Sequence, residues 1–326
     1  AFNEYDEARF VAERIRQWVE QGGRRDEIAI LYRSNAQSRV FEDTLIGARI
    51  PYRVYGGLRF FERAEIKDAL AYLRLIANRN DGPSFERIVN TPTRGIGERT
   101  LEPIRELARD LGLSPWQAAR QVVETLPKRT GGALSNFLSL IDDLALDTAP
   151  LTDLVDRVIT GSGLLEMYRK EKGGRGEARV ENLEELVNAA RGFDPVPEEM
   201  GEMGPLQAFL AHAALEAGEG QAAGWEDCVQ LMTLHAAKGL EFPVVFLVGL
   251  EEKLFPHYRV DDEPERLEEE RRLAYVGITR ARRRLTLTHA EKRRLYGTDT
   301  YSSPSRFLDE IPAELTRDVR TRTTIR

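Results

Sequence analysis

Two segments near the C-terminal end bring together groups able to handle a phosphorylated ligand. Thr233-Leu-His-Ala-Ala-Lys-Gly-Leu-Glu-Phe242 carries a hydroxyl, an imidazole, an ammonium and a carboxylate, and Gly239 within it permits close backbone approach. Tyr275-Val-Gly-Ile-Thr-Arg-Ala281 delivers Arg280, a permanently charged planar fork suited to gripping a γ-phosphate or acting as an arginine finger. At the other end of the chain, Tyr32-Arg33 leaves a short apolar run. Ligands of open α/β sheets bind beyond the carboxyl ends of strands, so a ring and a guanidinium there would suit a base and a phosphate. The alternative is a tyrosine packed on the sheet edge beside a solvated arginine. His235 has no Cys, His or Asp at metal-ligand spacing, which argues against a zinc site. The Gly-x-x-x-x-Gly-Lys-Ser/Thr loop that cradles nucleotide phosphates is absent from the 326 residues. Without it, the strand-then-acid pattern of Val244 to Glu252 has no nucleotide for which to hold magnesium.

The elements that must position these groups follow from periodicity. Ala8, Val11, Ile15, Trp18 and Val19 form one helical stripe that ends at Gly22-Gly23. Ile28 to Tyr32 and Pro51 to Tyr55 are strand-like. Ser34 or Asn35 caps the intervening helix, and Ile66, Ala69, Leu70, Leu73 and Ile76 make the core face of a longer one. Residues 80–225 show helical periods and no convincing strand. Strand character resumes at Val229 to Leu234, Val244 to Val248 and Leu285 to Thr288, with a charged helix over Glu265 to Thr279. Alternating strands and helices predict an α/β fold with a mostly parallel sheet, built from both chain ends around an inserted all-helical domain. The expected division is 1–126, 127–225 (helical), 226–314 and a tail at 315–326. In the helical part, Thr93-Arg-Gly-Ile-Gly97 and Thr160-Gly-Ser-Gly163 are turns that could offer backbone amides to a duplex phosphate, or simply end helices.

A formal charge of −7 excludes a wholesale basic nucleic-acid binder. Charge is nonetheless segregated: seven acids lie in Asp261 to Glu270, and nine arginines and lysines against one acid in Arg271 to Arg294. This is either a local basic surface for phosphates or a solvated helix laced with ion pairs. One cysteine excludes a disulfide framework within the chain. With no long apolar run and no leader-like N-terminus, the expectation is a cytoplasmic protein that does not enter a membrane.

Taken in order, the segments resemble superfamily 1 DNA helicases of the UvrD, PcrA and Rep group. Leu31-Tyr-Arg-Ser-Asn-Ala-Gln-Ser-Arg39 looks like motif IV, Gly56 to Asp68 like the segment that follows, Leu231 to Phe242 like motif V, and Arg271 to Ala281 like motif VI. Asn90 to Gly97 and Leu215 to Gln221 look nearest to the UvrD branch. The resemblance implies a RecA-like motor domain interrupted by a helical domain, acting with ATP and Mg2+ in 3′-to-5′ translocation and DNA repair. It further implies that Tyr32 stacks on adenine, Glu241 contacts ribose, and Arg33 and Arg280 reach the γ-phosphate, with Gly239 in the same site. Thr233, His235, His257 and Tyr296 would meet single-stranded DNA, and Gly161, Ser162 and Gly163 the duplex at the junction. Magnesium ligands are expected on a partner, the N-terminal motor half, so the chain is expected to be inactive alone. Repair proteins are further expected partners. The alternative is a non-catalytic module that binds a DNA junction or a partner.

Overall fold

Five short strands, all parallel, pair in the order β2-β3-β1-β4-β5: β1 is Ile28–Tyr32, β2 Tyr52–Val54, β3 Val229–Thr233, β4 Phe242–Leu247 and β5 Ala281–Leu287. These belong to a computed structural model that describes residues 1–146, 149–171, 174–194, 203–218, 227–257, 264–295 and 298–319. Because β1 lies between β3 and β4, neither chain end can complete the sheet alone. The chain forms two units, Ala1–Phe60 with Glu219–Arg326, and Phe61–Gly218.

In the first unit, the period-two alternation of β1 sorts its residues onto two faces. Ile28, Ile30 and Tyr32 pack with Ala8, Val11 and Ile15 of α1 (Glu4–Glu20) and with Val40, Phe41 and Leu45 of α2 (Ser38–Gly47). Ala29 and Leu31 pack on the other face with Leu273 and Ala274 of the helix Pro264–Thr279. The α1 start is fixed by Asn3, whose side chain accepts the Asp6 amide at 2.8 Å, with acids in the first turn matching the helix dipole. Beyond the strands expected from the sequence, β6 (Lys292–Leu295) and β7 (Thr298–Tyr301) pair as an antiparallel hairpin.

The second unit is helical, with no strand among its described residues. Its helices include α3 (Ala64–Ala77), α4 (Gly82–Ile88), α5 (Glu98–Leu111), α6 (Pro115–Val122), α7 (Lys128–Ala145), α8 (Leu151–Gly161), α9 (Leu164–Arg169) and α10 (Gly174–Gly192). The packing boundary falls after Phe60 rather than at residue 126. The reason is that α3, with Ile66, Ala69, Leu70 and Leu73 fully buried, packs with α4, α7, α8 and α10 in one helical core. The return boundary falls at Gly218, not 225, and residues 320–326 of the expected tail lie outside the described residues. No helix among the described residues is long and apolar enough to cross a membrane.

Candidate nucleotide and DNA surfaces

β1 and β3 end side by side, with Tyr32 level with Thr233, so Arg33 and the turn from Leu234 to Leu240 start at the same edge of the sheet. The Gln37 Oε1 accepts the amides of Arg33 and Ser34 at 3.0 and 2.8 Å, which fixes the backbone beneath the arginine. The Arg33 fork is held from one side. Its Nε lies 2.9 and 3.0 Å from the two Glu270 oxygens and its Nη2 2.7 Å from Oε1. The same carboxylate accepts the His257 amide at 3.3 Å, so β1, the segment after β4 and the helix Pro264–Thr279 converge there. Thr233 Oγ1 accepts the Ala236 amide at 3.3 Å and shapes the turn that presents His235 at the surface. Partial burial, then the nearby Arg33 charge, holds the His235 pKa below its ordinary 6.5, against the opposing pull of Glu270 and Glu269. The ring is therefore neutral at neutral pH and able to pack on a base without a desolvation penalty for charge.

The opposite edge of the sheet carries a second cluster. Gly239 has φ +88 and open space around it, a left-handed conformation that any β-carbon would strain. Leu240 and Glu241 follow and lead into β4. Arg280, just before β5, donates from Nη1 to the Leu240 carbonyl at 2.8 Å, from Nε to Val276 O at 3.0 Å and from Nη2 to Thr279 Oγ1 at 3.1 Å. The Arg280 carbonyl accepts the Phe242 amide at 2.9 Å, and exposed Glu241 pairs with Arg282 at 2.9 Å. Arg280, Gly239 and Glu241 are thus brought together as one surface.

Arg33 and Arg280 are not brought together. Leu31 is level with Leu247 at one end of β4, and Ala281 is level with Phe242 at the other. That puts the arginines at opposite edges, about 16 Å or more apart along strands rising 3.3 Å per residue. With each fork held as described, the two do not meet at one phosphate, which corrects the expectation for Arg33. The stacking role expected of Tyr32 is corrected too: its ring has 0% exposure and lies on the face covered by α1 and α2. At the end of the strand-then-acid pattern, Glu251 is buried against Arg293 and Glu252 pairs with Arg306. Tyr296 lies outside the described residues. The basic run is largely neutralised, with Arg271 bonded to Glu268 and Glu310, Arg272 to Glu269, and Lys292 and Arg294 to Asp299.

In the helical unit the two glycine turns meet. Arg94 donates from Nη2 to the Ser162 carbonyl at 3.0 Å and the Tyr72 hydroxyl at 2.5 Å, and from Nη1 to the Ile88 and Pro92 carbonyls at 3.1 Å. The Asn90 side chain accepts the Arg94 and Ile96 amides, closing the first turn. Ser162 is buried and its hydroxyl is used internally by Ile159 O and Leu164 N–H, so its side chain is not presented to a ligand; Gly161 is exposed and Gly163 half-buried. Sequence reasoning missed Glu270, hidden in an acidic run, and Arg94, one arginine among many. For Arg94 the only signal was its place inside a glycine turn.

A family model for the UvrD-like helicase C-terminal domain matches residues 1–292. The chain belongs to that family. This UvrD-like domain is 61% identical over its whole length to the DNA helicase II of Escherichia coli, 58% to that of Haemophilus influenzae, and 46% over 96% of its length to the ATP-dependent DNA helicase PcrA of Bacillus subtilis. It spans about half the length of these relatives, 46%, 45% and 43% respectively. The UvrD-like assignment agrees with the parallel α/β sheet and the helical unit inserted into its sequence.

Proposed function

We propose that this chain forms one wall of the nucleotide site and part of the DNA track of an ATP-dependent 3′-to-5′ DNA helicase that acts in repair. The observation that carries the reading is the separation of the two clusters onto opposite edges of one sheet. A motor needs its nucleotide contacts and its DNA contacts on different surfaces of a single rigid body. Gly239, Glu241 and Arg280 then serve the nucleotide, and Arg33, Thr233, His235 and His257 the single strand, where Arg33 would meet a backbone phosphate instead of a γ-phosphate. Bound ATP with Mg2+ would supply the phosphoryl group whose transfer drives the cycle. The open backbone at Gly239, the exposed Glu241 carboxylate and the Arg280 fork suit a ribose and a phosphate. The buried or ion-paired Glu251 and Glu252 do not suit the metal, whose ligands would come from a phosphate-loop partner half. The stapled turns around Gly95 and Gly161 to Gly163 would lie against duplex phosphates at the junction.

The test is a chimera in which this chain is fused to the complementary portion of the Escherichia coli relative. DNA-stimulated ATP turnover should appear in the chimera and not in the chain alone. Arg280→Ala should lower it by about 10³–10⁵, equivalent to about 4–7 kcal/mol of barrier. Turnover by the chain alone, or an Arg280→Ala chimera as active as its parent, refutes the reading. Fork binding by the chain with no turnover in any chimera would favour the junction-binding module.

A further inference from the structure

Glu270 is 5% exposed and has three partners on two separate segments: the Nε and Nη2 of Arg33 and the amide of His257. A carboxylate buried this deeply is costly unless it is paired, so the arrangement is a built one. It occupies the Nε–Nη2 edge of the Arg33 fork. Among the described residues Nη1 has no partner, which leaves that nitrogen for an incoming anion.

Glu270 and Arg280 also share a rod. The helix Pro264–Thr279 carries Glu270 at the edge with Arg33, and Arg280 follows its last residue at the edge with Glu241. Ten residues of helix span about 15 Å, close to the strand distance between the two edges. The rod is pressed onto the sheet at Gly277, where a β-carbon would come within 2.6 Å of Leu234 and 3.1 Å of Leu247. Leu234 is the residue before His235. A change in the pairing of Glu270 therefore has a stiff path to Arg280, whose own fork is tied to the last turn of that helix through Val276 O.

We infer that Glu270 is a positioning residue that couples a DNA phosphate on Arg33 to the placement of Arg280, through the helix that carries both. This rests on the assignment of the Arg33 edge to DNA made above. When a phosphate takes Nη1, the fork shifts against Glu270, and the helix transmits that shift to the Val276 and Leu240 carbonyls that hold Arg280. DNA occupancy at one edge would thus set the finger at the other.

The experiment uses this chain labelled with 15N at arginine side chains and titrated with single-stranded oligothymidylate, the Arg33 and Arg280 Nε–H signals being assigned by Arg33→Lys and Arg280→Lys. In the parent chain both signals should move with one binding curve. In Glu270→Gln, which keeps the shape and loses the charge, the Arg33 signal should still move and the Arg280 response should be lost. Glu270→Asp keeps the charge but is one methylene too short to hold Arg33 and the His257 amide together, so it should give the same loss and stands in if the glutamine variant fails to fold. An Arg280 response undiminished in both variants overturns the coupling role alone. No response of Arg33 in the parent chain overturns the DNA reading of that edge, and the coupling with it.

Discussion

Replacing Arg293 by methionine tests the most heavily buried charge cluster of the sheet unit. Arg293 bridges two carboxylates of 0% exposure, donating from Nε to Glu251 Oε2 at 2.7 Å and from Nη2 to Glu7 Oε2 and Glu251 Oε1 at 2.5 and 2.6 Å. Glu7 further accepts Gly249 N–H and the Thr288 hydroxyl, and Glu251 accepts Ala290 N–H. The cluster ties α1 to the strand-end turn that leads to His257. Removing one member of a buried pair costs about 3–5 kcal/mol. Two carboxylates are stranded here, so the upper end applies, against a total stability of about 5–15 kcal/mol. At about 2–4 °C per kcal/mol, the melting temperature should fall by about 10–20 °C.

The pH dependence carries its own sign. In the parent, burial pushes the Glu7 carboxyl up, but the Arg293 charge and the bonds from Thr288, Arg293 and Gly249 outweigh it and hold the pKa below 4.5. Its contribution is therefore present above pH 4.5 and lost as pH falls through the depressed value. In Arg293→Met burial acts on Glu7 without the opposing charge, and its carboxyl gains stability by protonating. The gap between variant and parent in calorimetric melting should be wide at neutral pH and narrow towards pH 4.5. A neutral-pH loss below about 1 kcal/mol, the scale of an ordinary substitution, or a gap that does not narrow on acidification, refutes this account.

Arg94→Met should cost the helical unit about 2–4 kcal/mol, since four acceptors lose a charged donor, and should weaken fork binding more than single-strand binding in anisotropy titrations. Equal loss for both DNAs would remove the turns from the duplex surface. Gly277→Ala should destabilise by about 1–3 kcal/mol by overpacking against Leu234 and broaden the His235 ring signals; a neutral effect in chemical denaturation would contradict the close approach. Glu184 is pushed up to about 7 by burial, then by Glu181, against Arg169. A raised carboxyl costs stability as pH climbs from 4.5 to about 7. Glu184→Gln should thus stabilise above neutrality by about 1–2 kcal/mol after discounting for partial exposure, with no gain below pH 4.5; a pH-independent effect would dismiss the titration.

Much of the architecture was legible because its signals are local. The run Ile28–Tyr32 matches its strand, Ala64–Ala77 and Pro264–Thr279 start within a residue of where periodicity placed them, and β3 ends one residue early. The β6–β7 hairpin escaped because Lys292-Arg-Arg-Leu295 has no apolar alternation. The domain boundary was misplaced because α3 to α6 read as helices whichever unit they join, and only their packing partners assign them.

By itself the sequence determined which groups exist and how they are spaced within a segment: His235 after a strand, Arg280 after a helix, a glycine at 239, and two glycine turns in a helical insert. Tertiary structure alone decided which edge each group occupies. Arg33 and Arg280 were paired in the reading of motifs, yet parallel strand direction sends one past the end of β1 and the other before the start of β5. The resemblance sets Tyr32 against adenine, whereas alternation along β1 buries it under α1 and α2. Glu270 was one acid among seven until folding set it against Arg33, 237 positions away. Spacing along a chain is a local property. Facing, burial and ion pairing depend on contacts between distant segments, which only the folded chain brings together.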